Sequence, residues 1–484
     1  MPGGAPGPYI RAQLATVTER LERLLDREAP SWGIRPVPPE HRRLRGLDLA
    51  VLWGDLSIGL LVLLTGALLV PALGFKEALV AIVIGSILGC IPLALVGLAG
   101  AREGVPTMVL FRSVLGVRGS YLPSLLNVAQ LVGWTGFEFW AMSLVAHRMA
   151  PALPYDAWLA AVAVMCIALA LGGPILVVRR WLERFGAWEV GGIAAWITVR
   201  LLTTADLARI WNAPGKGGYP GHLWLAVDLV IAMPVSWLPL VADYNRFARR
   251  GRAAAAGTLG GYVLGNVWFY ALGALLVLGA GLPQFATPAD LAAAIGALAG
   301  GWIVLLTLLV GETDEAFADI YSSAVSGQNI RPRISQRGAI VAVGAAGVAL
   351  AWWLGTRADL AVGNYEYFLF LLGSVFVPLF GVFVADYFVL GRRAPRASPG
   401  NGDGPPFRAR ALLPWAIGFL VYQWSVPTPL SGWTDAMRTL FHSWLHLPFP
   451  LWNSVAGASI PSFAAAFLLA LLVLPRPTRP PTGG

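Results

Sequence analysis

At 484 residues the chain could hold two or three soluble domains, but 57% of it is hydrophobic and only 13% charged, where soluble domains carry about 25% charged residues. The net charge of +9 does not point to nucleic acid, because the arginines fall in short clusters between long apolar runs, as the positive-inside pattern of a membrane protein requires. Its apolar residues come in unbroken stretches rather than amphipathic stripes, which excludes an ordinary soluble enzyme and predicts an all-α membrane protein.

Residues 1–46 read as a cytoplasmic N-terminal tail, polar and mixed in charge, without the apolar core of a cleavable signal. Within it Thr16–Glu28 reads either as a short surface helix or as plain tail. About twelve runs then reach the length of about 20 residues that a membrane crossing needs: 47–73, 77–100, 121–149, 157–178, 186–203, 222–244, 256–281, 298–324, 338–355, 365–390, 411–425 and 459–475. A C-terminal tail, 476–484, follows. The loops Arg102–Gly119, Arg179–Arg184, Tyr244–Arg252, Gln328–Arg337 and Gly391–Arg410 are Arg-rich and the alternate loops are not. That alternation places both termini in the cytoplasm of a multi-pass protein of the cell's inner (plasma) membrane. Cys90 and Cys166 lie inside apolar runs and are expected to be free thiols.

Shifted by roughly 175–180 residues, spans one to five fall on spans six to ten, and an odd number of spans per copy inserts the second copy upside down. The division is therefore 47–203 for the first repeat, 222–390 for the second, and two added spans within 411–475. Such folds bind their cargo where the first helix of each repeat unwinds. Span one carries Trp53-Gly54-Asp55-Leu56-Ser57-Ile58-Gly59, an acid and a hydroxyl bracketed by glycines. Span six carries Met233-Pro234-Val235-Ser236-Trp237-Leu238-Pro239, where two prolines each remove a backbone donor.

Span three presents Gln130, Trp134 and either Phe137 or Glu138 at helical spacing. A tryptophan at mid-depth, flanked by Gly133 and Gly136, is either packing or a platform for a flat ligand. Span eight reads Gly311-Glu312-Thr313-Asp314-Glu315-Ala316-Phe317-Ala318-Asp319. Each ionised acid at mid-membrane costs about 3 kcal/mol, so four of them point to a bound cation or exchanged protons. Glu312, Glu315 and Asp319 share a face; Asp314 and Glu315 point about 100° apart. At the end of span six, Asp243 and Arg246 read equally as a gate or as headgroup anchors.

At these residues the sequence resembles the nucleobase–cation symporter family of cytosine, purine and uracil permeases. The motifs are Gly104-Val105-Pro106-Thr107 with Arg112-Ser113-Val114-Leu115-Gly116, Gly133-Trp134-Thr135-Gly136, Ser236-Trp237-Leu238-Pro239-Leu240-Val241-Ala242-Asp243-Tyr244-Asn245-Arg246-Phe247, and Asp319-Ile320-Tyr321-Ser322-Ser323. The last two look most like the branch proposed to carry hydroxymethylpyrimidine. The resemblance implies a leucine-transporter-like 5+5 inverted repeat plus two helices, with Trp134 stacked on the substrate ring. Glu138 stands where an amide is usual, and Trp237 substitutes for an aromatic at the span-six break. Ser57, Gln130, Ser236 and Asp319 complete the expected substrate site, and Asp55, Thr313, Asp314 and Glu315 the cation site. Where sodium-coupled members place a hydroxyl pair, this chain has Asp314-Glu315, which favours a coupling proton over a sodium ion near Asp314. No cofactor is expected beyond that ion. The partners expected are a small heterocycle, the cation and the lipid bilayer.

A transporter of a cationic amine or thiamine-like solute is the alternative that the buried acids favour. An enzyme is not expected: His41, His147, His222, His442 and His446 form no mid-membrane pair at metal-ligand spacing.

Overall fold

The computed structural model describes residues 32–172, 187–217, 222–283, 285–391, 405–429, 431–451 and 457–475. The expected tail up to residue 31, the end of span four with the Arg179–Arg184 loop, most of the Gly391–Arg410 loop and the C-terminal tail lie outside the described residues. The described residues are helical, joined by short turns; the one β-bridge pairs Leu44 with Ala248.

Span one is two helices, α1 (Gly46–Asp55) and α2 (Leu60–Leu68), bent by 61° at the expected glycine-bracketed acid. Span two is α3 (Phe75–Glu103), which stops at Gly104, a left-handed residue with φ 74° that glycine adopts without a Cβ clash. The Arg102–Gly119 loop contains a helix, α4 (Thr107–Leu115), started by Pro106 and buried along almost its whole length. Spans three to five are α5 (Tyr121–Met149), α6 (Tyr155–Gly172) and α7 (Ala187–Thr204), followed by the short α8 (Leu207–Asn212).

Span six is again double, α9 (Leu223–Ser236) and α10 (Val241–Asn245). Here the expectation needs correction. Pro234 does not break the helix but sits in its last turn, and the unwound stretch is Trp237–Leu240, which contains Pro239. Spans seven to ten are α11 (Gly251–Ala280), α13 (Gly301–Ile330), α14 (Gln336–Gly355) and α15 (Ala358–Phe383), with the short α12 (Pro288–Gly296) before α13. Spans eleven and twelve are α16 (Ala409–Ser425) and α18 (Ser459–Val473), with α17 (Ser431–Arg438) between them. Five described helices are long and apolar enough to cross a bilayer, and the bent pair α1–α2 makes a sixth. Each half carries the same irregularities in the same order: a broken first span, then a short helix between its second and third spans.

Two bundles result. Spans one, two, six and seven pack on one another, and spans three, four, eight and nine on one another; span ten packs against six, eleven and twelve. Between spans one and seven the contact is close because α11 presents glycine at intervals of four. A Cβ on Gly261 would strike the carbonyl of Ala50, and one on Gly273 the carbonyl of Leu63. Small residues at such a seam let helix backbones approach in a bilayer, where dispersion between packed surfaces replaces the hydrophobic effect.

Candidate substrate and cation site

The site begins where α1 stops. Its unwound residues leave α2 with unsatisfied N–H groups and the positive end of its dipole facing the protein interior. An acid from span eight fills that place: Leu60 donates its N–H to Glu312 Oε2 at 2.6 Å. Glu312 is fully buried. Glycine at 59 permits this approach, since a Cβ there would lie 2.7 Å from Glu312 Oε2 and against the Glu315 carboxylate. Glu315, 4% exposed, keeps Oε1 enclosed without a hydrogen-bond partner, and Asp55 lies within electrostatic reach of it. The acids of span eight are thus gathered against the break in span one. Asp314 is equally buried but projects from a different side of the helix, as the 100° step per residue demands.

A few residues further along α13, the buried carboxyl group of Asp319 faces that of Glu138 of α5, and Glu138 Oε2 and Asp319 Oδ2 are enclosed without a hydrogen-bond partner. One turn earlier on α5, Trp134 stands edge-on to Tyr365 (5.9 Å between ring centroids) and Phe368 (5.3 Å) of span ten. Tyr365 in turn shares a hydrogen bond with Thr65 at 2.8 Å and donates to the carbonyl of Leu61 at 3.1 Å, tying span ten to α2. Gln130 donates to Asn127 Oδ1 (2.7 Å) and to the carbonyl of Ser236 (2.9 Å), so it bridges span three to the span-six break while its Oε1 stays unpartnered.

Other expected site residues are turned inward. The hydroxyls of Ser57, Ser236 and Thr313 each donate to a carbonyl three residues back in their own segment, Gly54, Met233 and Val310. They retain only lone pairs for a ligand. Trp237 packs edge-on against Trp53 at 6.0 Å, and Trp53 is anchored by its N–H to Asn245 Oδ1 at 2.9 Å.

Asp243 and Arg246 do not form an ion pair with each other. Asp243 accepts from the backbone N–H of Thr107 at 3.1 Å while Thr107 Oγ1 accepts from Ala242 N at 3.0 Å, which clamps α4 onto α10. Arg246 is completely buried and donates to the carbonyls of Gly33 (2.6 Å) and Asp243 (3.1 Å). Among the described residues no group of three or more His, Cys, Asp or Glu side chains is arranged to hold a metal ion. Glu312, expected only as one of the four acids of span eight, and Tyr365, which with Asn364 and Ser374 reads from the sequence as a weaker candidate for lining the outer path, belong to this constellation; Thr65 and Phe368 join it with no signal in the sequence.

Two helix bundles meeting where matched helices break around buried acids define a transporter of the leucine-transporter-like 5+5 class. Residues 36–399 match the family described as permeases for cytosine/purines, uracil, thiamine and allantoin, and the chain belongs to that family. The cytosine permease of Escherichia coli (strain K12) is 28% identical over 330 residues, 68% of this chain and 74% of that protein. The allantoin permease of Bacillus subtilis (strain 168) is 24% identical, covering 74% of this chain and 78% of its own. Among solved structures, Mhp1, a nucleobase-cation-symport-1 family transporter in a closed conformation with bromovinylhydantoin bound, superposes with a TM-score of 0.72 at 18% identity, over 91% of this chain and 94% of that one. A sodium-coupled sialic acid symporter reaches 0.62 at 12% identity, with 92% of each chain covered.

Proposed function

We propose that this permease is a cation-coupled symporter that imports a nucleobase-like heterocycle, of the cytosine, purine or hydroxymethylpyrimidine type. The observation that carries the reading is the meeting of Glu312 and Glu315 with the break at Gly59–Leu60, one helix face along from the Glu138–Asp319 pair and Trp134. Trp134 supplies the ring platform; Glu138, Asp319 and Gln130 supply acceptors for ring N–H and exocyclic amine groups. Asp55, Thr313, Asp314, Glu315 and Glu312 are the groups that would hold or exchange the coupling cation. Buried carboxyl oxygens without a hydrogen-bond partner on Glu138, Glu312, Glu315 and Asp319 favour a proton as that cation, with sodium the second choice.

The repeats 47–203 and 222–390 would rock as the two bundles do, spans one, two, six and seven against spans three, four, eight and nine. Binding of cation and ring together lowers the cost of that movement, and the site then opens to the other side. Asp243 and Arg246, which tie the end of span six to α4 and to Gly33, would form part of the inner closure. The clustering of arginines on alternate loops supports an inner-membrane location with both termini cytoplasmic.

The excess of buried acids also supports a cationic amine or thiamine-like solute as cargo. Uptake of labelled cytosine, hypoxanthine, hydroxymethylpyrimidine and thiamine into proteoliposomes, with pH and sodium gradients imposed separately, decides between them. Uptake of a neutral ring driven by either gradient is expected. Uptake blocked by amines and indifferent to neutral pyrimidines would transfer the reading to the cationic solute.

A further inference from the structure

Away from the central site the described residues form a half-open cavity of about 360 Å³. It lies where the start of α9 (Leu225), the segment before α12 (Phe285), the early part of α15 (Glu366, Phe370) and the turn after α16 (Val426, Pro427) come together. Rings, aliphatic side chains and prolines make up most of its wall, and Glu366 is the one charged side chain among the described residues that line it.

Glu366 is 2% exposed, and its Oε1 is enclosed without a hydrogen-bond partner. A buried acid close by shows the usual remedy. Asp228, one turn along α9 from Leu225, accepts the N–H groups of Ala458 (2.6 Å) and Ser459 (2.9 Å) at the start of α18. Glu366 has no such donor at Oε1, and a carboxylate held this way in an apolar surround is costly until a cation or proton reaches it.

The placement on α15 adds a second point. Tyr365 and Phe368 of the same helix face Trp134 and α2. Glu366 and Phe370 are turned to the cavity, so whatever fills it leans on the back of the helix whose front lines the central site.

We propose that this cavity is a second ligand site, selective for a small apolar ammonium compound, with Glu366 as counter-charge. Its volume falls within the range of about 300–1,000 Å³ common to small-molecule pockets, and one carboxylate on an otherwise apolar wall matches one ammonium on one ring. The site is independent of what the central site carries.

The test is calorimetric binding of 2-phenylethylammonium to the full chain in detergent micelles, with 2-phenylethanol and 3-phenylpropanoate as neutral and anionic counterparts. The ammonium is expected to bind more tightly than both. Glu366→Gln, which removes the charge at constant size, should weaken it about tenfold or more. Val426→Trp, which fills the space and keeps the charge, should abolish it, and Trp134→Ala should leave it unchanged. Absence of binding, equal binding of ammonium and alcohol, indifference to both cavity substitutions, or loss on Trp134→Ala alone each overturns the site. Elution as a monodisperse peak checks that each variant folds, and if one cavity variant does not, the other decides.

Discussion

Glu312 does at a single position what a substrate or ion often does in broken-helix folds: it satisfies an exposed N–H group of a half-helix. Glu312→Ala should therefore lower thermal stability by about 1 kcal/mol, the usual worth of a helix cap, whereas Glu312→Gln retains an acceptor and should lose less. Thermal unfolding of the purified variants measures the difference, and equal losses would separate the acid from its capping role. Glu315 has no such backbone duty, since Oε1 is unpartnered. Glu315→Gln should change how uptake depends on pH or sodium with little effect on stability, and an unchanged profile would remove it from the coupling site. Trp134→Ala should abolish uptake while leaving membrane insertion intact, because its ring is edge-packed on Tyr365 and Phe368 rather than holding spans together by hydrogen bonds. Transport at the normal rate by that variant would end the stacking proposal.

At the scale of elements, the glycine seam makes α1, α2 and α11 behave as one piece. Gly261→Val should cost about 1–3 kcal/mol by overpacking against Ala50 and lower the midpoint of thermal unfolding; a variant as stable as the parent would show that the seam can widen. The breaks in spans one and six were legible because their causes are local: glycines around an acid, prolines that lack a donor. Pro234, which the sequence presents as a break, instead lies in the last turn of α9: it gives up its own bond to the preceding turn, and the helix ends two residues later. The helix α4 falls within a stretch that reads as loop, because nine residues are too few to show a period and its stability comes from burial and from Asp243, more than a hundred positions away. The Leu60–Glu312 contact spans 252 residues, and no spacing rule within one helix reaches so far. The edge-on contact of Trp237 with Trp53 is likewise a product of packing between two broken spans.

For the whole molecule, the arginine distribution makes a prediction about orientation. Reporter fusions at the segment after residue 217 should lie on the side opposite to fusions before residue 46, and equal labelling of both from outside intact cells would reverse or void the assignment. The two bundles meet where α2 packs on α5 and α13. Cross-links between α3 and α11, both within one bundle, should leave uptake intact, whereas cross-links between α2 and α5 should arrest it.

One contact bears on how this protein can be handled. The guanidinium of Arg246 finds one of its acceptors in the carbonyl of Gly33, upstream of every membrane span. Leu44 pairs with Ala248 on the way to the first helix, so residues 33–45 form a strap sewn to the end of span six. Trimming an expression version of the gene into that strap would take one acceptor from a buried positive charge and leave it the Asp243 carbonyl, and purification tags are better joined ahead of residue 32.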